Sequence, residues 1–266
     1  MSLRSGVVRR LGSLRRFIRP MDRAVDVLAQ MAQLPFAPVE AITGPQPILV
    51  LAPHPDDESL GCGGLIAQAC AAGTEVHVVI VTDGTGSHPH SLEYPAARLK
   101  AVRRDEAAAA VETLGLPPGR LSFFDYRDSA SPRRGAALRD AAQRLAAFTR
   151  ERGIATVFST WKHDPHPDHV SAHRIAALAS GIAGFRLMSY AVWGWTLPPG
   201  RWLPRQAIRG VRLDVSSSLP LKQRAISCHQ SQMTDTISDD PSGFQLPQGL
   251  LDICNRRFET FLQHPG

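Results

Sequence analysis

The sequence predicts an α/β protein, a Rossmann-like, doubly wound and mostly parallel sheet with helices on both faces. Three observations carry that prediction. Short apolar runs of strand length alternate with helical stretches long enough to serve as βαβ crossovers. The runs are nearly continuous in apolar residues, which suits strands buried on both faces. No internal repeat or low-complexity linker divides the chain.

Residues 1–40 read as a basic amphipathic N-terminal segment and 41–266 as a single domain. Leu3, Val7, Val8, Leu11, Leu14, Phe17 and Ile18 fall at helical spacing among arginines. Two readings of this pattern stay open: a tail or helix docked on its own domain, and weak contact of residues 1–23 with an anionic membrane. "PQPILVLA" (45–52) is an apolar run ended by a turn, the mark of a buried parallel strand, and the helix "SLGCGGLIAQACAAG" follows it. The strand "TEVHVVIVTDG" (74–84) leads through a histidine- and proline-bearing loop into the helix "AARLKAVRRDEAAAAVETLG". Then come "LSFFDY" (121–126), a helix around 135–152, "ATVFST" (155–160), a helix after His169, and "RLMSYAV" (186–192). "WGWTLPPGRWLP" reads as a rigid loop and "AIRGVRLDVSS" as an added strand. Two helical stretches, roughly 219–230 and 249–262, form a C-terminal extension.

Composition sets limits on function. The chain has 266 residues, 43% hydrophobic and 20% charged, and no stretch approaches the roughly 20 apolar residues of a membrane-spanning helix. The totals are 30 basic and 24 acidic residues; residues 1–23 hold seven of the basic and one of the acidic, leaving 23 of each. The body is neutral, so no nucleic-acid groove is expected. Four cysteines form no CxxC pair, and no export signal is evident, so reduced thiols and a cytoplasmic location are expected.

Chemistry concentrates at the ends of the strands. Ligands of such sheets bind outside the carboxyl ends of the strands. "HPDDE" follows the first strand, "TDGTGSHPH" the second, and "TWKHDPHPDHVSAH" the strand at 155–160, so these clusters face one rim. His54 and Asp57, three apart across a turn, can converge on one point, with a third ligand from the 163–173 cluster. Two histidines and a carboxylate around Zn²⁺ leave a position for water, the open arrangement of catalytic zinc. A dication also offsets the repulsion among adjacent carboxylates. Either motif alone could be a helix start, through an acidic cap or a proline in the first turn. Two such clusters on one rim argue for a site.

"APHPDDESLGCGG" with the distal "DPHPDHVSAH" resembles the PIG-L/LmbE-like zinc-dependent N-acetylglucosaminyl deacetylases. The likeness runs from about 45 to 232 and takes in "RRDEAAAAVETLG", "YRDSA" and "HQSQ"; Pro53 stands where the family usually has alanine. The resemblance implies zinc held by His54, Asp57 and His169, with Fe²⁺ or another divalent ion as an alternative. It implies Asp56 as general base and His166 as a protonated group that stabilises the oxyanion or assists the departing amine. It further implies substrate contacts from Arg103 and Asp128. The expected reaction releases acetate and a free amine from an N-acetylglucosamine-type amino sugar or its conjugate. Hydrolysis of another N-acyl amide, or a non-catalytic sugar-binding module, are the alternatives. His173, four residues from His169, is an alternative ligand, and His163 lines the mouth or is solvated. His77 reads as a satisfied core residue, and His88 and His90 as substrate contacts or simply exposed. Glu58 keeps a helix-start or supporting role.

Overall fold

The computed structural model describes residues 20–264. The spacing noted for Leu3 to Ile18 lies outside the described residues. The chain opens with β1 (Met21–Arg23), α1 (Ala24–Ala32) and α2 (Val39–Thr43). Alternating elements follow: β2 (Ile48–Ala52), α3 (Asp57–Ala71), β3 (Val76–Thr82), α4 (Ala96–Thr113) and β4 (Leu121–Tyr126). Next are α5 (Gly135–Glu151), β5 (Thr156–Thr160), α6 (Pro167–Ala183), β6 (Arg186–Tyr190) and a 3₁₀ turn at Trp193–Thr196. The chain closes with β7 (Trp202–Pro204), β8 (Gly210–Asp214), α7 (Leu219–Ser227), α8 (Gln230–Met233), α9 (Gln248–Cys254) and β9 (Phe258–Gln263).

Seven strands form one sheet in the order β4-β3-β2-β5-β6-β9-β8. The first five are parallel, and β9 runs antiparallel to both β6 and β8. From β2 the chain winds outward to β3 and β4, then crosses back to β5 and β6. The order therefore reverses between β2 and β5, where a crevice opens at the strand ends. Alternate residues of β2 feed two cores. Ile48, Val50 and Ala52 pack with Val78, Ile80, Leu65 and Ile66; Leu49 and Leu51 pack with Val79, Val81, Leu145 and Ile175. Each such buried Val, Leu or Ile side chain contributes about 1.5–3 kcal/mol.

Helix α3 carries the first motif and lies unusually close to its neighbours. A Cβ on Gly61 would stand 2.3 Å from the Tyr190 ring, one on Gly63 2.8 Å from Lys222, and one on Gly64 2.2 Å from Val215. Beside them Glu259 of β9 accepts the Gly64 and Leu65 N–H at 2.7 and 2.8 Å and pairs with Lys222 at 2.7 Å. Lys222 and Glu259 are both buried, so a paired ion bridges α7, β9 and α3 beneath the site.

Three sequence expectations change. The stretch 249–262 is helical only to Cys254, because Phe258–Gln263 fills the slot between β6 and β8 as a strand. Helix α6 begins at Pro167, which puts His169 in its first turn rather than ahead of it. The loop after β6 holds a 3₁₀ turn and β7, which pairs with β1. Through that ribbon, residues 21–34 share a core with the body: Ala24, Val27, Met31 and Leu34 pack with Trp161, Leu197, Leu203 and Leu262.

Candidate active site and metal centre

The site is assembled where β2 and β5 end. Thr82 donates both its N–H and its hydroxyl to the Pro53 carbonyl, at 2.9 Å each, and so ties the end of β2 to β3. The His54 carbonyl then accepts the N–H of Asp56 and of Asp57, closing a tight turn. Asp57 starts α3 and accepts the His54 N–H at 3.0 Å. After β5, the carboxylate of Asp164 accepts the Val192 and Gly194 N–H groups and so fixes the second turn. His166 caps α6, its Nδ1 accepting the Asp168 N–H at 3.2 Å. Asp168 in turn accepts the Ser129 N–H at 2.7 Å and the Ser131 hydroxyl at 2.5 Å. That staple holds the "YRDSA" turn over the crevice, with Ser129 in the left-handed region at φ 62°.

The histidines and acids converge. Asp57 Oδ2 lies 3.1 Å from both His54 Nδ1 and His169 Nε2. His54 Nε2 lies 3.4 Å from Asp128 Oδ1 and from Asp168 Oδ2, and His169 Nδ1 lies 3.1 Å from Asp164 Oδ1. The His54 ring centre is 4.6 Å from that of His166 and 5.3 Å from that of His169. His54 Nε2 and His169 Nε2 are buried without a hydrogen bond among the described residues. Burial opposes charge on both rings, yet Asp128, Asp168 and Asp57 hold the His54 pKa well above its usual value. Asp57 and then Asp164 raise that of His169 to about 9. The site therefore demands positive charge at this point, which a divalent cation supplies as well as a proton does.

The donor set fits such a cation. Ligands about 2.0–2.1 Å from a tetrahedral zinc stand roughly 3.3 Å apart, close to the 3.1 Å contacts of Asp57. Donor atoms of His54, His166 and His169 form one cluster, and those of His54, Asp128 and Asp168 another. His54 is common to both. The His166 Nδ1 is already occupied by the Asp168 N–H, whereas Asp57 touches both of the other rings. His166 shares a donor cluster with His54 and His169, while Asp57 joins those two rings through its 3.1 Å contacts with each.

Asp56 is set apart from this cluster. Its carboxylate accepts from Arg103 Nη2 at 3.0 Å. Burial first, then the charge of Asp57, pushes its pKa up to about 6, against the lowering pull of Arg103. Arg103 is 2% exposed and also donates to the Pro55 and Gly84 carbonyls. Arg103 lines the pocket, and its guanidinium is engaged in holding Asp56. Protonation of His166 is disfavoured. Burial first, and then the charges of His54 and His169, lower its pKa to about 4. Its Nδ1 is an acceptor, so the neutral ring carries its proton on Nε2.

A cavity of about 200 Å³ opens over these groups. Its lining includes the polar His54, Asp56, Asp57, Asp128 and His166 and the apolar Leu60, Trp193, Phe244 and Leu246. Trp193 thus joins the pocket, while Trp195 packs against Arg256 and Trp202 is exposed. His173 faces away, with Nδ1 3.1 Å from the Thr160 carbonyl, and His163 packs against Trp161. His77 is paired with Glu75 and Arg120, His88 is buried beside Ser87, and His90 is exposed. Cys62 is buried, and burial pushes its thiol well above the usual pKa.

Sequence reasoning missed three contributors, Asp164, Asp168 and His229, and gave Glu58 only a helix-start or supporting role. Asp164 and Asp168 lie inside the quoted "HDPHPDH" and could have been found as the acids flanking its histidines. Buried Glu58 accepts the Asp56 N–H at 3.0 Å and meets His229 Nε2 at 3.2 Å. "HQSQ" stands out in the sequence, but nothing in its spacing ties His229 to a residue 171 positions earlier.

Comparison with known proteins agrees in kind. A family model described as "PIG-L: GlcNAc-PI de-N-acetylase" matches residues 49–180. A 1D-myo-inositol 2-acetamido-2-deoxy-alpha-D-glucopyranoside deacetylase of Actinosynnema mirum is 32% identical, over 73% of this chain and 83% of its own. Among solved structures, the N,N'-diacetylchitobiose deacetylase of Pyrococcus horikoshii superposes with a TM-score of 0.61. That alignment covers 85% of this chain and 86% of the other at 22% identity, a likeness of fold. GalB of Pseudomonas putida, a 4-carboxy-2-hydroxymuconate hydratase, has a TM-score of 0.55 and 27% identity, over 70% of this chain and 80% of its own.

Proposed function

The chain belongs to the PIG-L deacetylase family, and from that premise we propose that it is a metal-dependent hydrolase of an N-acetylglucosamine-type amino sugar or its conjugate. The products are acetate and a free amine. The observation that carries this reading is the meeting of His54, Asp57 and His169 at the strand-order reversal, with a buried carboxyl, Asp56, facing the same cavity. In this reading those three residues hold the metal, with Zn²⁺ first and Fe²⁺ as the alternative. When bound, the metal acts as a Lewis acid on the amide carbonyl and lowers the pKa of water.

The remaining chemistry falls to this chain's own side chains. Asp56, deprotonated above about pH 6, takes the proton of the attacking water as its oxygen bonds to the carbonyl carbon. His166, its proton fixed on Nε2, donates a hydrogen bond to the carbonyl oxygen as negative charge gathers there. Asp56 then returns its proton to the nitrogen as the C–N bond breaks. Asp128, on the rim beside His54, accepts from a sugar hydroxyl. Trp193 and Phe244 offer apolar faces to the ring of the sugar. The enzyme acts in the cytoplasm, held peripherally at the anionic inner face of the membrane through residues 1–23.

Metal analysis combined with acetate release from a panel of N-acetylglucosamine compounds tests the reading. About one equivalent of metal is expected, with activity lost on chelation and restored by Zn²⁺ or Fe²⁺. Asp56→Asn is expected to keep the metal and bind substrate while turnover falls by roughly 10²–10⁴-fold. Full activity in that variant overturns the assignment of the base. Hydration of an unsaturated acid, with every N-acetyl sugar inert, transfers the chain to the chemistry named for GalB.

A further inference from the structure

We propose that the outward face of the β1–β7 ribbon docks on an anionic lipid bilayer together with the arginine-rich residues preceding it. The proposal deepens the peripheral location given above and rests on it, but it does not depend on the reaction. Pairing sets Met21 opposite Pro204 and Arg23 opposite Trp202. Strand alternation turns these four side chains to one face and Asp22 and Leu203 to the other. Leu203 is buried against Trp161 and Leu197, which fixes which face looks inward. All four residues of the outward face are exposed.

The exposure is unusual in kind. Trp202 leaves 56% of its surface uncovered, Val25 at the start of α1 45%, and Met21 38%. Single exposed apolar residues need no explanation, but a tryptophan and a methionine on one face of a short ribbon, with an exposed valine just after it in the chain, call for one. The Arg23 guanidinium stands 5.7 Å from the Trp202 ring centre, exposed Arg201 precedes the strand, and exposed Arg205 after it pairs with Asp22 at 2.9 Å. Tryptophan beside arginine suits the headgroup layer, where the ring meets the acyl boundary and the guanidinium meets phosphate.

Sequence supplies the remaining charge. Arginines stand at 4, 9, 10, 15, 16 and 19 with no acid among residues 1–19. Beyond residue 23 basic and acidic residues balance, so the positive end is local. Each arginine near an anionic surface strengthens attachment by about fivefold. Apolar residues interleaved with the arginines, and the uncovered Trp202, favour a bilayer over a nucleic acid, whose backbone asks only for charge. Trp193 of the pocket and Trp202 of the ribbon lie on one connection, so the segment that walls the cavity also reaches the docking face.

Co-sedimentation of the full-length, metal-loaded protein with vesicles tests this. Vesicles of phosphatidylcholine with phosphatidylglycerol are expected to bind it, those of phosphatidylcholine alone are not, and added salt weakens the binding. The triple variant Met21→Ser, Val25→Ser, Trp202→Ser is expected to bind tenfold or more weakly, by loss of about three apolar side chains from the interface. Arginine-to-glutamine changes at 4, 9, 10, 15, 16 and 19 are expected to abolish binding. If the arginine variant loses binding and the triple variant binds as wild type, the ribbon is overturned while the peripheral location stands. No binding by wild type overturns both. Self-association without vesicles that the triple variant abolishes makes a second copy the occupant. Displacement from vesicles by a short DNA duplex makes it a nucleic acid, and either result overturns the bilayer. Release of acetate from a water-soluble substrate is expected to be unchanged throughout, which keeps this test separate from the reaction.

Discussion

Asp56 sits between opposing pulls. Burial and the neighbouring Asp57 hold its proton on, while Arg103 at 3.0 Å draws the proton off. A guanidinium so engaged positions and tunes the base. In Arg103→Met the lowering charge is gone, so the Asp56 pKa rises and the acid limb of the kcat/KM profile moves to higher pH. At neutral pH, kcat is expected to fall about ten- to hundredfold, through this shift and through misplacement of the carboxylate. KM is expected to stay within about twofold, the guanidinium being engaged with Asp56, Pro55 and Gly84. Arg103→Lys restores the limb but only part of kcat, a lysine being unable to bridge Asp56, Pro55 and Gly84 at once. A raised KM with kcat and pH profile unchanged would instead return Arg103 to the substrate role that the sequence suggested. The contrast marks how far residues could be read. His54, Asp56, Asp57, His166 and His169 stood out because two short motifs each concentrate their chemistry locally. Arg103 and Asp128 did not yield their contacts, since these depend on which loops meet above the sheet.

At the scale of the element, the glycines of α3 set how closely the helix lies to its supports. Gly64→Ala would place a Cβ 2.2 Å from Val215 and 3.1 Å from the Glu259 carboxylate, which is bound to Lys222 and cannot withdraw freely. A loss of about 3 kcal/mol or more is expected, at the upper end for an overpacked core, with weakened metal binding as α3 is pushed outward. Gly181→Ala is the counter-case. A Cβ there would meet no neighbouring atom within 4 Å, and the residue is helical within α6. A gain of about 0.5–1 kcal/mol is expected from propensity alone. Urea unfolding of the two variants checks both signs; equal effects would refute the packing argument. Sequence pattern could not separate these glycines, because the atoms that crowd Gly64 come from Val215 and Glu259, far along the chain. For the same reason 249–262 reads as one helix: Leu250, Leu251, Phe258 and Phe261 fit helical spacing. Only the open slot between β6 and β8 makes the second half a strand.

For the whole molecule, strand alternation with crossovers sufficed to give a parallel sheet and to place both motifs on one rim. The docking of residues 21–34 and the antiparallel strands were hidden in tertiary pairings. Histidines outside the site also shape how the assembled protein responds to acid. His173 is buried with its Nδ1 toward the Thr160 carbonyl, and burial first, then the charges of His264 and Lys162, lowers its pKa to about 4. His163 is lowered to about 4 by burial and by Lys162 and Arg201, against a hydrogen bond that its ring donates to Gln206. In the unfolded chain both titrate near 6.5. Below that pH the unfolded state binds protons that the folded state refuses, so stability present above pH 6.5 is lost as pH falls toward 4. For His173 the full loss is on the order of 3 kcal/mol. Metal release and the site carboxylates also act in this range, so the decisive quantity is a difference between proteins. His173→Gln keeps a donor for Thr160 but cannot titrate, and its stability in urea is expected to fall less steeply from about pH 7 to about 4.5 than that of wild type. Parallel curves would show that His173 titrates in the folded protein as it does in the unfolded chain, which its burial and basic neighbours argue against.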